Sequence, residues 1–355
     1  MDTSNILVQT AMILSFVVSA LIIVIGRRVA QNIGLVDKPN ERKKHIGDTP
    51  LLGGVAIFSS MILLTPLVIS DTSMMVIVFL SILIAIMGLL DDLHDLSAKI
   101  RFLVQFSAGV CLAVFGDVRI IDLGNVFGFG EFQLDGLGSI LFTAFCVVGV
   151  INAMNMIDGI DGLFGTMAAM TLGTIAYFAH LSGLIDALAV CLISVGGLLA
   201  FLSFNLGMFG ANRNIFAGDS GSTAIGFLVA ALLIFTTQDS NSTLTPVAAG
   251  WIVGLPLLDT VTVMARRMMH GCSPFEPGRD HFHHHLIDSG LSNRQSLLTI
   301  VMIQLCFMGV GIASNFGLIQ VHVSFWGFVF VTVMHFMFTP RIIAYLNVKT
   351  QIGFK

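Results

Sequence analysis

Charge is scarce in this chain: Asp, Glu, Lys and Arg make up only 11% of its 355 residues. With 55% hydrophobic residues and a mean hydropathy of +0.92, that shortage excludes an ordinary soluble protein. The net charge of −4 leaves no electrostatic footprint for nucleic acid. Only five cysteines occur, Cys111, Cys146, Cys191, Cys272 and Cys306, and four of them stand in apolar runs, so no disulfide framework is implied. Neither a P-loop nor a dinucleotide-binding glycine fingerprint is present, which argues against ATP and NAD. The first apolar run lacks a basic leader and a small-residue cleavage site, so it reads as a retained span rather than a signal peptide. With no low-complexity segment, soluble domain or internal repeat, residues 1–355 read as a single polytopic membrane domain.

What the chain does contain is a series of apolar runs of membrane-spanning length. Eleven are expected, near 5–25, 51–70, 74–90, 102–116, 137–155, 162–180, 184–204, 220–237, 246–265, 296–314 and 323–339. With that count, every one of the 17 Lys and Arg residues except Arg119 falls on one side of the membrane. The positive-inside rule makes that side cytoplasmic, with the N-terminus outside and the C-terminus inside. The predicted fold is thus an all-α integral membrane protein. The outside loop 116–136 alternates and carries glycine turns, so a small β-hairpin and an irregular loop are both open there.

The polar clusters all fall at the cytoplasmic ends. The stretch "NAMNMIDGIDGL" (152–163) places Asn155, Asp158 and Asp161 where a carboxylate inside the bilayer would cost roughly 2.5–3.5 kcal/mol. Their three-residue spacing aims them at one point if the helix persists, whereas Gly159 and Gly162 would loosen it. The third run ends in "GLLDDLHDL", where Asp91 and Asp92 sit at a helix C-terminus that disfavours negative charge. In "NIFAGDSGS", Asp219 stands between Gly218 and Gly221, which permit close approach of a phosphate or metal; a helix cap is the plainer reading. The first loop holds Lys44 and His45 among basic residues that orientation alone also explains. The tract "HFHHHL" offers His281, His283, His284 and His285 beside Arg279. Zinc is the first association of such a tract. The surrounding Asp and Asn oxygens suit Mg²⁺ or Mn²⁺ better, leaving the histidines for sugar or phosphate oxygens. Oxygen ligands, cations and a membrane face together predict Mg²⁺-dependent phosphoryl transfer from a soluble diphosphate to a lipid phosphate.

Five motifs, "DTPLLGG", "GLLDDLHDL", "NAMNMIDGIDGL", "NIFAGDSGS" and "SPFEPGRDHFHHHL", occur in the order seen in the polyprenyl-phosphate N-acetylhexosamine-1-phosphate transferases. The resemblance covers about residues 35–295, and the His tract is more similar to that of WecA-type enzymes than of MraY-type ones. It implies transfer of GlcNAc-1-phosphate from UDP-GlcNAc to undecaprenyl phosphate at the bacterial inner membrane, releasing UMP. That reaction would open the synthesis of O-antigen, enterobacterial common antigen or a related surface glycan. It also implies Asp219 as a Mg²⁺ ligand with Asn155 as a second, Phe216 stacked on uracil, and Asp161 with Asp158 at the nucleotide. Asp91 and Asp92 would serve the metal or activate the lipid phosphate. Arg279, His281, His283, His284 and His285 would contact sugar and pyrophosphate, and Lys44 and His45 the lipid phosphate or its loop. The implied partners are UDP-GlcNAc, undecaprenyl phosphate and the bilayer, with a homodimer left open. Two rivals remain at this stage: a transferase for another UDP-amino-sugar or an MraY-like substrate, and an ion-coupled transporter.

Overall fold

The computed structural model describes residues 3–38, 47–210, 213–274 and 278–353, with 3–5 and 340–353 as backbone alone. The chain opens with α1 (Thr3–Ile33) and the short strands β1 (Val36–Asp37) and β2 (Thr49–Pro50). It continues with α2 (Gly53–Leu64), α3 (Thr72–His94), α4 (Ala98–Phe115), α5 (Gly136–Met156), α6 (Leu163–Leu181) and α7 (Ile185–Asn205). Then come α8 (Gly218–Gln238), α9 (Pro246–Ile252), α10 (Gly254–Met269), α11 (Phe282–Asp288), α12 (Asn293–Asn315) and α13 (Val321–Gly353).

Helix starts are written locally. Asp71, Ser97, Thr245 and Ser292 each accept the backbone N–H three residues on, satisfying a first-turn donor of α3, α4, α9 and α12. At α12 the Gln295 side chain reciprocates, completing a capping box.

Among the described residues, eight helices are long and apolar enough to cross a membrane, and a bent pair makes a ninth if it counts as one span. The bent pair is α9 and α10, which meet at 78°. Of the eleven expected runs, 51–70 forms only a short apolar stretch, Gly53–Leu67. The run 162–180 forms α6, whose 19 residues include three threonines and lie outside the eight. The chain is an all-α, multi-pass membrane protein.

Burial identifies the centre. In α8, 89% of the span is buried, against 6% of the Val321–Thr339 part of α13. Close packing around α8 depends on missing side chains, the usual device where no water drives helices together. A Cβ on Gly88 of α3 would lie 2.5 Å from the Asp219 carbonyl oxygen, and one on Gly226 would lie 2.8 Å from the Ile151 Cα of α5. Hydrogen bonds between helices answer some of the polar side chains inside the bundle. Asn152 of α5 donates to Gln105 of α4 at 3.0 Å, and Ser15 of α1 donates to the Ile193 carbonyl of α7 at 2.7 Å.

The loop 116–136 doubles back with one isolated antiparallel bridge, Asp122–Gln133. Leu123 N–H donates to the Phe132 carbonyl at 3.0 Å, but no named strand forms among the described residues of this loop.

Candidate active site

The site is assembled from helix ends. α3 stops at His94 because Asp95 turns into the left-handed region at φ 51°. Its last turn carries Asp91, only 5% exposed, whose carboxylate accepts the Leu96 N–H at 2.7 Å and Arg101 Nη1 at 2.9 Å. The same Arg101 nitrogen lies 3.9 Å from Asp219 Oδ2. One guanidinium from the first turn of α4 therefore stands between two carboxylates.

Asp92 faces the other way. Its carboxylate accepts the backbone N–H groups of Asp219 at 2.8 Å and Ser220 at 3.1 Å, capping the N-terminus of α8 from a neighbouring helix. The fit requires glycine at 218: the backbone there has φ +72°, and a Cβ would lie 2.5 Å from Asp92 Oδ2. Asp219 itself opens α8, and its Oδ1 accepts Asn155 Nδ2 at 2.6 Å. Asn155 Nδ2 also donates to Ser222 Oγ at 2.8 Å, so a donor, not an oxygen, is what this amide presents to Asp219.

α5 ends at Met156, and the rest of "NAMNMIDGIDGL" is a series of turns. Because the helix stops before Asp158 and Asp161, the helical spacing that would have aligned them with Asn155 is lost. Asp158 is exposed and lines the cleft, whereas Asp161 is half-buried and outside its lining. Phe216 is held by backbone pairing to the first motif. Its N–H donates to the Pro50 carbonyl at 3.0 Å, and its carbonyl accepts the Gly53 N–H at 3.0 Å.

These groups surround a cavity of about 750 Å³, a size suited to a small-molecule ligand. Asp91, Asp92, Asn155, Asp158, Phe216 and Asp219 all line it, joined by Asp37, Asp95 and Ser222. The polar donors are oxygens apart from His94. Among the described residues no three His, Cys, Asp or Glu side chains form a ready metal cage. Asp91 and Asp92 are engaged by Arg101 and by backbone amides, and Asp219, held by Asn155, lines the cavity beside them. That set fits Mg²⁺, which is usually held by one or two carboxylates with substrate phosphates completing its shell.

The His tract borders the cleft without lining it. His281 Nδ1 lies 2.9 Å from Asp259 Oδ2, and the buried His283 packs against the turn after α5. A Cβ at Gly159 would fall 2.0 Å from His283 Nε2. Burial, helped by neighbouring His284, pushes His283 down to about 3. Burial and then Arg279 push His284 down to about 4, and burial lowers His285 as well. These three imidazoles are therefore neutral at pH 7 and can offer one N–H and one acceptor each. Arg279 pairs with Asp288 at 3.2 Å on the surface. Lys44 and His45 lie outside the described residues.

Three residues enter from the structure alone. Arg101 stands ten positions after Asp91 on another helix, a separation with no local signature. Asn205, at the end of α7, donates to the Ile215 carbonyl at 2.9 Å and accepts the Gly162 N–H at 2.6 Å, fastening two motif loops together. Asp259 interrupts an apolar run, which was a visible signal in the sequence.

A sequence model of glycosyl transferase family 4 matches residues 74–237, the stretch from α3 through α8. An undecaprenyl-phosphate alpha-N-acetylglucosaminyl 1-phosphate transferase of Escherichia coli (strain K12) is 36% identical over 313 residues, 87% of this chain and 84% of its own. Similar proteins with the same description occur in Salmonella typhi (37% over 305 residues, 85% and 82%) and Haemophilus influenzae (33% over 316 residues, 88% and 89%). Identity at this level across nearly the whole chain, with four of the five motifs lining one cleft, places the protein in glycosyl transferase family 4, among the polyprenyl-phosphate N-acetylhexosamine-1-phosphate transferases.

Proposed function

We propose that the protein transfers GlcNAc-1-phosphate from UDP-GlcNAc to undecaprenyl phosphate at the cytoplasmic face of the bacterial inner membrane. A lipid phosphate oxygen bonds to the β-phosphorus, the bond from that phosphorus to the bridging oxygen breaks, and UMP leaves. The product, undecaprenyl-diphosphate-GlcNAc, would begin a cell-surface glycan. The observation that carries this reading is the convergence of Asp91, Asp92, Asn155, Asp219 and Arg101 at four helix ends around one cavity. Membrane proximity and oxygen-rich chemistry coincide there.

Mg²⁺ or Mn²⁺ held at Asp219 would neutralise the pyrophosphate and the charge of an in-line transition state. The chain's own groups supply the rest. Arg101 presents a fixed guanidinium beside Asp219, suited to a phosphate oxygen. Asn155 and Ser222 hold Asp219 in place, and Asp92 anchors the α8 terminus that carries it. Phe216 offers an apolar face at the cleft for the base. A phosphomonoester has a second pKa of about 6 and is mostly a dianion at pH 7, so the acceptor needs little help from a base.

A transporter would place its ionisable groups along a path at the midplane, beside broken helices. The broken pair α9–α10 does carry Asp259, but that carboxylate is bound to His281 and the Phe282 N–H. Membranes bearing the protein, given radiolabelled UDP-GlcNAc, undecaprenyl phosphate and Mg²⁺, should release UMP and an organic-extractable product. Failure to form that product with UDP-GlcNAc while another UDP-sugar succeeds would reassign the donor, and failure with every donor would refute the reaction. For the proposed eleven-span orientation, cysteines placed at 135 and 278 in a background without native cysteine should label from opposite sides; labelling from one side refutes it.

A further inference from the structure

Among the described residues, Asp259 of α10 and His335 of α13 are ionisable side chains within apolar helices, outside the cleft, that face one another. Neither lines the cleft. Asp259 is 3% exposed, and a carboxylate buried within a span is costly unless specific partners answer it. Its partners come from the His tract and from α13. Oδ2 lies 2.9 Å from His281 Nδ1, and Oδ1 accepts the Phe282 N–H at 3.0 Å, at the start of α11. His335 Nε2 approaches Oδ1 at 3.6 Å, an electrostatic contact longer than a hydrogen bond, while His335 Nδ1 is 2.9 Å from Thr339 Oγ1. The His281 ring is in turn stacked on that of His283, with centroids 5.9 Å apart and planes 5° apart.

We infer that Asp259 is a positioning residue for the donor-sugar side of the reaction, holding His281 as its Nδ1–H tautomer and fixing the start of α11. An ionised carboxylate can only accept, so the hydrogen facing it must be on Nδ1. Nε2 of His281 is then set toward whatever lies beyond the ring, and the stacked His283 ring inherits the same orientation. The logic is that of carboxylate–histidine pairs elsewhere, in which the outer partner selects which ring nitrogen is free to act. His335 adds a second, weaker hold that ties the His tract to α13.

The inference rests on the transferase reading, and the test separates the two. Asp259→Asn keeps size and an oxygen for the Phe282 N–H, but presents an amide N–H₂ to His281 and forces the opposite tautomer. In purified, correctly folded protein, kcat/KM for UDP-GlcNAc should fall about 10- to 100-fold, the range for removing such an outer partner. The KM for undecaprenyl phosphate should stay unchanged. A purely structural defect would lower the amount of active enzyme and leave both KM values alone, which would overturn the inference. Nitrogen-15 spectra of histidine-labelled protein, with the His281 signal assigned through His281→Gln, should show Nδ1–H in the wild type and Nε2–H in Asp259→Asn. An unchanged tautomer would also overturn it. Should the wild type transfer no sugar phosphate, the function fails, while the tautomer measurement still decides the Asp259–His281 coupling. His335→Gln should move the same kinetic parameter by less than Asp259→Asn; an equal or larger effect would overturn the order of the two holds.

Discussion

Asp91 and His283 are both almost fully buried, yet they meet their surroundings in opposite ways. Asp91 keeps a guanidinium at 2.9 Å and a backbone N–H at 2.7 Å, so its charge is answered inside the protein. Among the described residues His283 Nε2 has no hydrogen-bond partner, and the ring sheds its charge instead, its pKa pushed down to about 3 mainly by burial. At Asp91 the cleft keeps a carboxylate whose charge Arg101 balances. At His283, His284 and His285 burial disfavours charge, and donor and acceptor geometry is what is left. Two motifs that look equally polar in the sequence therefore do different physical work.

The sharpest way to test the cleft half of this contrast is to remove the carboxylate of Asp219, which Asn155 holds at the cavity. If Asp219 holds the proposed cation, Asp219→Ala should reduce turnover by about 10³-fold or more even at saturating Mg²⁺, through loss of several kcal/mol of anionic stabilisation. Near-normal Mg²⁺-dependent turnover, measured as UMP release, would show that the balanced charge of the cleft serves something else.

Asp91→Asn and Asp92→Asn probe whether the committed carboxylates act as bases or as fixtures. Asp92 holds two amides of α8, and Asp91 holds Arg101. Misplacing either should cost about 10²-fold. The loss should be constant from pH 6 to 9, because positioning does not depend on the acceptor's ionisation. A loss that disappears at high pH, where the lipid phosphate is fully ionised, would mark that residue as a base.

The smallest effect belongs to the histidine side and reads on stability. At pH 7 His283 is neutral both folded and unfolded. As pH falls below about 6.5 the unfolded chain binds a proton that the folded site refuses until about 3. The unfolded state then holds more protons, so stability falls with pH across that window, by at most about 1.4 kcal/mol per pH unit for this one group. Replacing it, His283→Gln, should flatten the acid limb of a melting-temperature profile. An unchanged limb would mean that His283 takes up its proton normally in the fold.

The sequence carried most of the cleft because helix ends are local features. "GLLDDLHDL" and "NIFAGDSGS" each break an apolar run with acids and glycines, and both prove to be helix termini facing one cavity. The turn after α5 was legible only in part. Three-residue spacing and paired glycines argued opposite ways, and the chain ends the helix at Met156. The span count was less legible, since hydropathy registers length and apolarity but not a 78° bend such as that between α9 and α10.

Composition and motif order by themselves pointed to an all-α membrane protein and to several of the residues that line its cavity, because desolvation cost confines polar groups to helix ends. Partner choice was decided by tertiary structure alone. That Arg101 answers Asp91, that Asp92 caps α8, that Asn205 ties two loops and that Asp259 faces His281 are contacts between helices distant in sequence. Their distances depend on how closely glycines such as Gly88 let the helices approach, and no local pattern encodes that approach.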